Sequence, residues 1–150
     1  MAYVIFNDKH SLSFIAKNID HLSFRFPKYE LYQNKKAGSM HEISDADFIS
    51  LQTGVKKIKF DGSNITYEDC IILPYADKAS LKLHQDKLLE VMNFFKNGCF
   101  NKSNSLYLEI QDYINTLNNL DLDSIPLPLS IPLNKYLKDQ NINIVSPLQL

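Results

Sequence analysis

Residues 43–67, ISDADFISLQTGVKKIKFDGSNITY, contain in order the signals of a helix, a strand, a tight turn and a second strand. Ser44 and Asp47 have the spacing of a capping box, in which the hydroxyl accepts the Asp47 amide and the carboxylate reaches back to the Ser44 amide. Gly54 supplies the left-handed position that ends a helix. The spacing predicts a helix of about nine residues. Phe48 and Leu51 lie on the inner face of this helix, and Ile43 is the staple residue before the cap.

The residues that follow this helix predict a β-hairpin. Val55, Ile58 and Phe60 are apolar positions of a first strand, and residues 61–62 are the Asp-Gly pair typical of tight hairpin turns. Residues 64–67 are predicted to return as the second strand.

The N-terminal region is predicted to be mostly β. Residues 3–6 form a short β-prone run, and residues 22–26 alternate between apolar and polar, so both are predicted strands. Residues 11–18 have a weak helical spacing, whereas residues 29–32 are predicted to form a further strand. Residues 33–39 are polar and contain a glycine, which predicts a loop.

The C-terminal half is predicted to be helical. Its apolar side chains follow the 3.6-residue period from residue 77 or 80 to residue 97, and again from residue 103 or 104 to Leu117. The connection between these two helices is short, so we expect them to pack antiparallel. A last short helix is expected from Pro132 through Leu137.

The change of period near residue 77 predicts an α+β fold. Its parts are a small, mainly antiparallel sheet with a short helix in the N-terminal half and an antiparallel helix pair in the C-terminal half. A chain of 150 residues buries enough surface to fold without a metal or a disulfide. We expect one compact domain with three regions: the β-rich residues 1–75, the helix pair 76–120, and the extended arm and tail 121–150.

Residues 124–133, SIPLPLSIPL, are predicted to form an extended arm, because their three prolines prevent a regular helix. Apolar side chains alternate along the arm, and the C-terminal tail offers a second apolar strip. We predict that both strips contact a partner protein. The alternative is that the arm folds back over the helix pair of its own chain. The predicted partner-binding residues are Ile125, Leu127, Leu129, Ile131, Val145 and Leu148.

Composition and charge argue against two classes of partner. The chain has 16 Lys+Arg and 17 Asp+Glu, a formal charge of -1, and nucleic-acid binding needs a clustered basic surface, so we predict no nucleic-acid partner. The longest apolar run, residues 1–6, is far shorter than the roughly 20 residues that span a bilayer, and no signal peptide is recognised. We therefore expect a soluble protein with no membrane partner.

The sequence contains no recognised motif for catalysis, cofactor binding or metal binding. His10, His21, His41 and His84 stand apart from one another and from the cysteines, without the paired spacing of metal ligands. The four glycines are explained by turns or caps, which leaves no phosphate-binding loop. We predict that the protein is not an enzyme and uses no metal, cofactor or small-molecule substrate.

Three groups of residues have both a functional and a structural interpretation. Cys70 or Cys99 would suit a thiol nucleophile if folding brought it to His84, but both stand among apolar residues and are expected to be small buried side chains. Asp45 and Asp47 would suit a calcium-binding or catalytic carboxylate pair, but helix capping is the simpler explanation. The lysines of residues 56–59 would suit phosphate binding, but a half-solvated edge strand explains them.

Residues 41–62, HEISDADFISLQTGVKKIKFDG, resemble a segment of small tail proteins of tailed bacteriophages, such as the tail-fibre assembly and tail-fibre-associated proteins of T4-like phages. The pattern there is I-(S/T)-D-x-(D/E)-(F/Y)-x-x-L-x-x-G, followed by a strand and an Asp-Gly turn. The resemblance covers only this segment, and the C-terminal half departs from the usual pattern of fibre-assembly chaperones. The matching residues are Ile43, Ser44, Asp45, Asp47, Phe48, Leu51 and Gly54.

The resemblance implies a non-enzymatic structural protein of a phage tail, baseplate or tail-fibre network. Such a protein would be made in the host cytoplasm and reside in the virion, where it would dock to other phage structural proteins or form a homo-oligomer. The alternative is a tail-fibre assembly chaperone or another binding module that is not part of the virion.

Overall fold

The computed structural model describes residues 1–147, in which strands precede two long helices. The predicted α+β fold is therefore confirmed. The strands are β1 (Ala2–Phe6), β2 (Leu12–Ala16), β3 (Met40–Ile43), β4 (Lys56–Phe60) and β5 (Ile65–Asp69). The helices are α1 (Ile19–Leu22), α2 (Lys28–Lys36), α3 (Asp45–Gln52), α4 (Lys78–Asn97), α5 (Ser105–Asn118) and α6 (Leu133–Asp139), with a 3-10 turn at Leu122–Ser124.

A three-stranded antiparallel sheet, in the order β2-β1-β3, lies between two apolar cores. Alternation along β1 explains this arrangement, because successive side chains of a strand point to opposite faces. Val4 and Phe6 belong to the core formed with α3 and the β4–β5 hairpin, whereas Ile5 belongs to the core formed with α4, α5 and α6. The central strand is thus buried on both faces.

The predicted helix and hairpin of residues 43–67 are confirmed, with one change at the cap. Ser44 Oγ accepts the Asp47 amide at 3.0 Å, and Gly54 has a φ of +80°. The Asp47 carboxylate, however, hydrogen-bonds to the Tyr67 side chain of the hairpin. Burial raises the pKa of Tyr67 to about 12, and the Asp47 charge acts in the same direction. The carboxylate therefore joins α3 to the hairpin.

The predicted helix pair is confirmed as antiparallel. Gln85, near the start of α4, donates a hydrogen bond from its amide to the Leu117 carbonyl, near the end of α5. Reciprocal hydrogen bonds between Asp77 and Ser80 cap α4. The last short helix is also confirmed, since α6 begins directly after Pro132.

The N-terminal predictions are partly wrong. Residues 11–18 contain β2 rather than a helix: its side chains face both cores, so the polar-apolar alternation of a one-sided strand is missing. Residues 22–26 are the end of α1 and a turn, because the Asn18 side chain caps a helix just before them. Residues 29–32 lie in α2, where helix-forming residues outweigh the strand preference of two tyrosines.

Candidate functional site

The predicted arm folds back onto its own chain. Ile125, Leu129 and Val145 are buried in the core shared with α4 and α5, and Ile131 packs against that core partly buried. The buried strip follows the alternative that was left open, in which the arm folds back over its own chain. Partner binding by these residues stays a prediction. Leu148 lies outside the described residues.

Backbone pairing explains why the arm stays in place. The Tyr75 amide donates to the Leu129 carbonyl at 2.8 Å, and the Leu129 amide donates back at 3.0 Å, which forms an antiparallel bridge. This bridge joins the arm to the segment that connects β5 with α4. Leu127 lies two residues away from the bridge and is 37% exposed, more than any other predicted arm residue.

The segment between β5 and α4 exposes two large apolar side chains. Ile71 is 94% exposed and Leu73 is 78% exposed, both in an irregular stretch of the chain. We call Ile71 and Leu73 the connector surface. Exposed apolar residues of this size are common at protein interfaces, whereas single ones are unremarkable.

Four of the residues that carry the phage resemblance serve the fold rather than a surface. Phe48 and Leu51 are buried against the sheet, Ser44 caps α3, and Gly54 supplies a positive φ. A Cβ atom at Gly54 would lie 3.5 Å from Pro132 at the start of α6. The matched segment is thus a structural unit, a capped helix held on a sheet.

The cysteines and His84 are only partly brought together. Cys70 and His84 line one cavity of about 170 Å³ together with Asn134. The Asn134 side chain is engaged elsewhere, because it hydrogen-bonds to the Tyr113 hydroxyl and to the Gln52 carbonyl. Burial lowers the pKa of His84, as does the charge of Lys87. Cys70 and Cys99 are partly rather than fully buried.

A larger cavity, of about 370 Å³, lies where α1, α3 and α5 meet residues 143–147. We call it the His21 cavity. Two hydrogen bonds fix the C-terminal stretch that forms one wall: the Gln52 amide donates to the Ile144 carbonyl at 3.0 Å, and the Ile15 amide donates to the Pro147 carbonyl at 2.7 Å. The apolar lining residues are Met1, Ile15, Phe48, Ile49, Leu106, Ile144, Val145 and Pro147.

His21 and Glu109 form a polar contact that faces this cavity. His21 is 5% exposed, and its Nε2 lies 2.9 Å from Glu109 Oε2. Burial lowers the pKa of His21, and Lys17 acts in the same direction, while Glu109 and Asp20 oppose the shift. The contact thus joins α1 to α5.

One asparagine side chain caps α1, and another holds α1 against the start of α5. Asn18 Oδ1 accepts the His21 amide at 3.0 Å, which caps α1. The Asn104 amide donates to the Asp20 carbonyl at 2.6 Å and to Ser23 Oγ at 2.7 Å.

Sequence reasoning missed this site. The Asn18 cap was a local signal for α1, but no spacing in the sequence pairs His21 with Glu109.

The charged groups of the lining are of both signs. Lys17, Lys138 and the Met1 ammonium group are the cations, and Asp45 joins Glu109 as the second carboxylate. The Met1 nitrogen lies 3.9 Å from an Asp45 oxygen, and both groups are well exposed. Chemically, the arrangement can bind hydrogen-bond donors inside and anions near the exposed Lys17 and the half-buried Lys138.

No family model, curated protein or solved structure matches this chain significantly. Within residues 1–147, no group of three or more His, Cys, Asp or Glu side chains is placed to hold a metal ion. The helices of the described chain include none that is long and apolar enough to cross a membrane.

Proposed function

We propose that the protein is a structural component of a phage tail, baseplate or tail-fibre network and acts by docking to another structural protein of the particle. The observation that carries the proposal is the connector surface. Ile71 and Leu73 expose nearly their whole side chains to solvent, although burial of each would contribute about 1.5–3 kcal/mol. Burial of these side chains against a protein partner would add this contribution to the free energy of binding.

Two further features support docking at this place. The backbone of residues 71–74 lies in no helix or strand, so its amides and carbonyls are available to a partner strand. The Tyr75–Leu129 bridge anchors the end of this segment, which limits the conformational entropy lost on binding. The resemblance of residues 41–62 to tail proteins favours another structural protein of the particle as the partner.

The first experiment asks whether the chain belongs to the particle. Particles are purified from cells infected with the phage that encodes the chain, and the protein is quantified by mass spectrometry against the major tail proteins. A fixed stoichiometry supports the proposal. Absence from particles that need the chain for assembly would instead support the chaperone, and absence without any assembly defect would reject both functions.

The second experiment tests the surface with a matched control. Ile71→Asp combined with Leu73→Asp should abolish incorporation into particles while the melting temperature of the isolated protein stays unchanged. The control combines Leu83→Asp with Phe94→Asp, two similarly exposed apolar residues of α4, and should be incorporated normally. Normal incorporation of the first variant would reject the connector surface as the docking site.

A further inference from the structure

We propose that β5 accepts an extended segment of the docking partner as an additional strand. The inference rests on the proposed function, because β5 leads directly into the connector surface of Ile71 and Leu73. It adds the mode of binding and the chemistry of the bound segment.

The hydrogen bonds of the hairpin determine which peptide groups of β5 remain open. The Cys70 amide donates to the Val55 carbonyl at 3.0 Å. Hydrogen-bonded pairs alternate along an antiparallel ladder, so the peptide groups of Ile65, Tyr67 and Asp69 point away from β4. On that side they meet no hydrogen-bond partner among residues 1–147.

This edge also lacks the usual protection. Natural proteins protect a free strand edge with lysine, proline, a bulge or a covering segment. The edge strand β2 is covered in this way, since the Ile15 amide donates to the Pro147 carbonyl at 2.7 Å. Residues 65–69 of β5 contain neither lysine nor proline, and their register with β4 is regular. Such an edge is the surface that strand addition uses.

The strand already paired with β5 shows which side chains suit a second neighbour. The opposed pairs on one face are Phe60 with Ile65, Ile58 with Tyr67, and Lys56 with Asp69. Neighbouring strands share their faces, so a segment on the open side meets the same row of two apolar residues and a carboxylate. Asp69 is exposed, and its charge is accessible to a cation. The favoured segment therefore carries a basic and two apolar residues at alternate positions.

The connector surface extends this row. The ladder with β4 reaches Cys70, and Ile71 and Leu73 follow Asp69 at the spacing of alternate strand residues. Leu73 precedes a proline, which disfavours a helical backbone at this residue. A partner strand that continues beyond Asp69 therefore reaches the two most exposed side chains of this segment.

The first test uses a synthetic peptide with the sequence of residues 55–61, VKKIKFD, because β4 has the required chemistry. The 15N-labelled full chain is titrated with it. We expect saturable shift changes at Ile65, Tyr67 and Asp69 and slower hydrogen exchange of their amides. No saturable change up to about 5 mM peptide, or changes confined to other residues, would overturn the proposal.

The matched control is the same peptide with an N-methyl group on its isoleucine. The methyl group removes an amide donor that would face β5 and changes no side chain, so binding should be about five-fold or more weaker. Equal binding of the two peptides would overturn strand addition, because side-chain contact alone would then hold the peptide. Concentration-dependent shift changes at β5 without peptide would assign the edge to a second copy of the chain and would also overturn the proposal.

Two variants at one position connect the edge to incorporation into particles. Asp69→Pro removes an amide that points away from β4, and an edge strand tolerates proline at such a position. Asp69→Ala keeps this amide and removes only an exposed charge. We expect particles to exclude Asp69→Pro and to incorporate Asp69→Ala.

This experiment separates the strand edge from the docking role. Circular dichroism establishes that each variant is folded, and the peptide titration decides the question if Asp69→Pro is not. Normal incorporation of folded Asp69→Pro, together with exclusion of the Ile71 and Leu73 variant, would overturn strand addition and leave the proposed function standing.

Discussion

Replacing Leu129 by alanine should destabilise the isolated protein strongly, because the arm is part of its core. The side chain is 7% exposed and packs in the cluster that includes residues of α4, α5 and α6. Its burial contributes about 1.5–3 kcal/mol of transfer free energy, and the cavity left behind adds to the loss. The total expected decrease in the free energy of unfolding is about 2–5 kcal/mol.

Leu129→Ala and the unmodified protein are unfolded in urea at equal concentration, and circular dichroism monitors the unfolding. Leu73→Ala is the matched control: the same atoms are removed from a side chain that is 78% exposed, so the free energy of unfolding should change by no more than about 0.5 kcal/mol. A loss below about 1 kcal/mol for Leu129→Ala would show that the arm does not belong to the core in solution, and would restore docking in trans.

Two further predictions concern the core under α3 and the buried imidazole. Phe48→Ala should lower the free energy of unfolding by about 3–5 kcal/mol, because this aromatic ring is buried against the sheet; a change below about 1 kcal/mol in urea denaturation would contradict this packing. Lowering the pH from about 7.5 to 5.5, a window around the ordinary histidine pKa of about 6.5, should lower the melting temperature. Burial lowers the pKa of His21 in the folded state. As the pH falls, the unfolded chain therefore takes up the proton first, and the free energy of unfolding decreases. His21→Gln should show a smaller decrease than the unmodified chain, and a melting temperature that rises toward pH 5.5 would contradict the sign.

Sequence reasoning succeeded where one signal was local and unopposed. The Ser44 cap and the left-handed Gly54 lie within a single helix and its flanking residues, so their geometry follows from spacing alone. The Asp-Gly turn fixes the β4–β5 hairpin in the same way. The period of α4 was equally clear, because only one face of this helix is buried.

Sequence reasoning failed where segments far apart in the sequence bury the side chains. Phe14 and Ile15 of β2 face different cores, and no window of sequence contains the elements that cover both faces. α2 was missed for the opposite reason: none of its side chains is fully buried, so there is no apolar period to detect. Its tyrosines then favoured a strand by composition alone.

The candidate sites show the same contrast between local signals, which the sequence contains, and contacts with distant segments, which it does not. The arm was correctly predicted to be extended and apolar, but whether its side chains face the same chain or another depends on Tyr75, which lies more than fifty residues earlier. The contact between His21 and Glu109 likewise depends on α1 packing against α5, which the Asn104 side chain maintains through Asp20. Spacing within the sequence carries no information about either pairing.

The phage resemblance can be judged by what its matched residues do. Ser44, Phe48 and Gly54 cap, pack and end α3, so any chain that places a short helix on a sheet in this way needs similar residues. A match in such residues is informative about the local structure and much less so about the partner. Partner recognition requires exposed groups, and Ile71 and Leu73 lie outside the matched segment. The comparison of connector-surface variants with the α4 control therefore tests the docking role more directly than further similarity in residues 41–62 would.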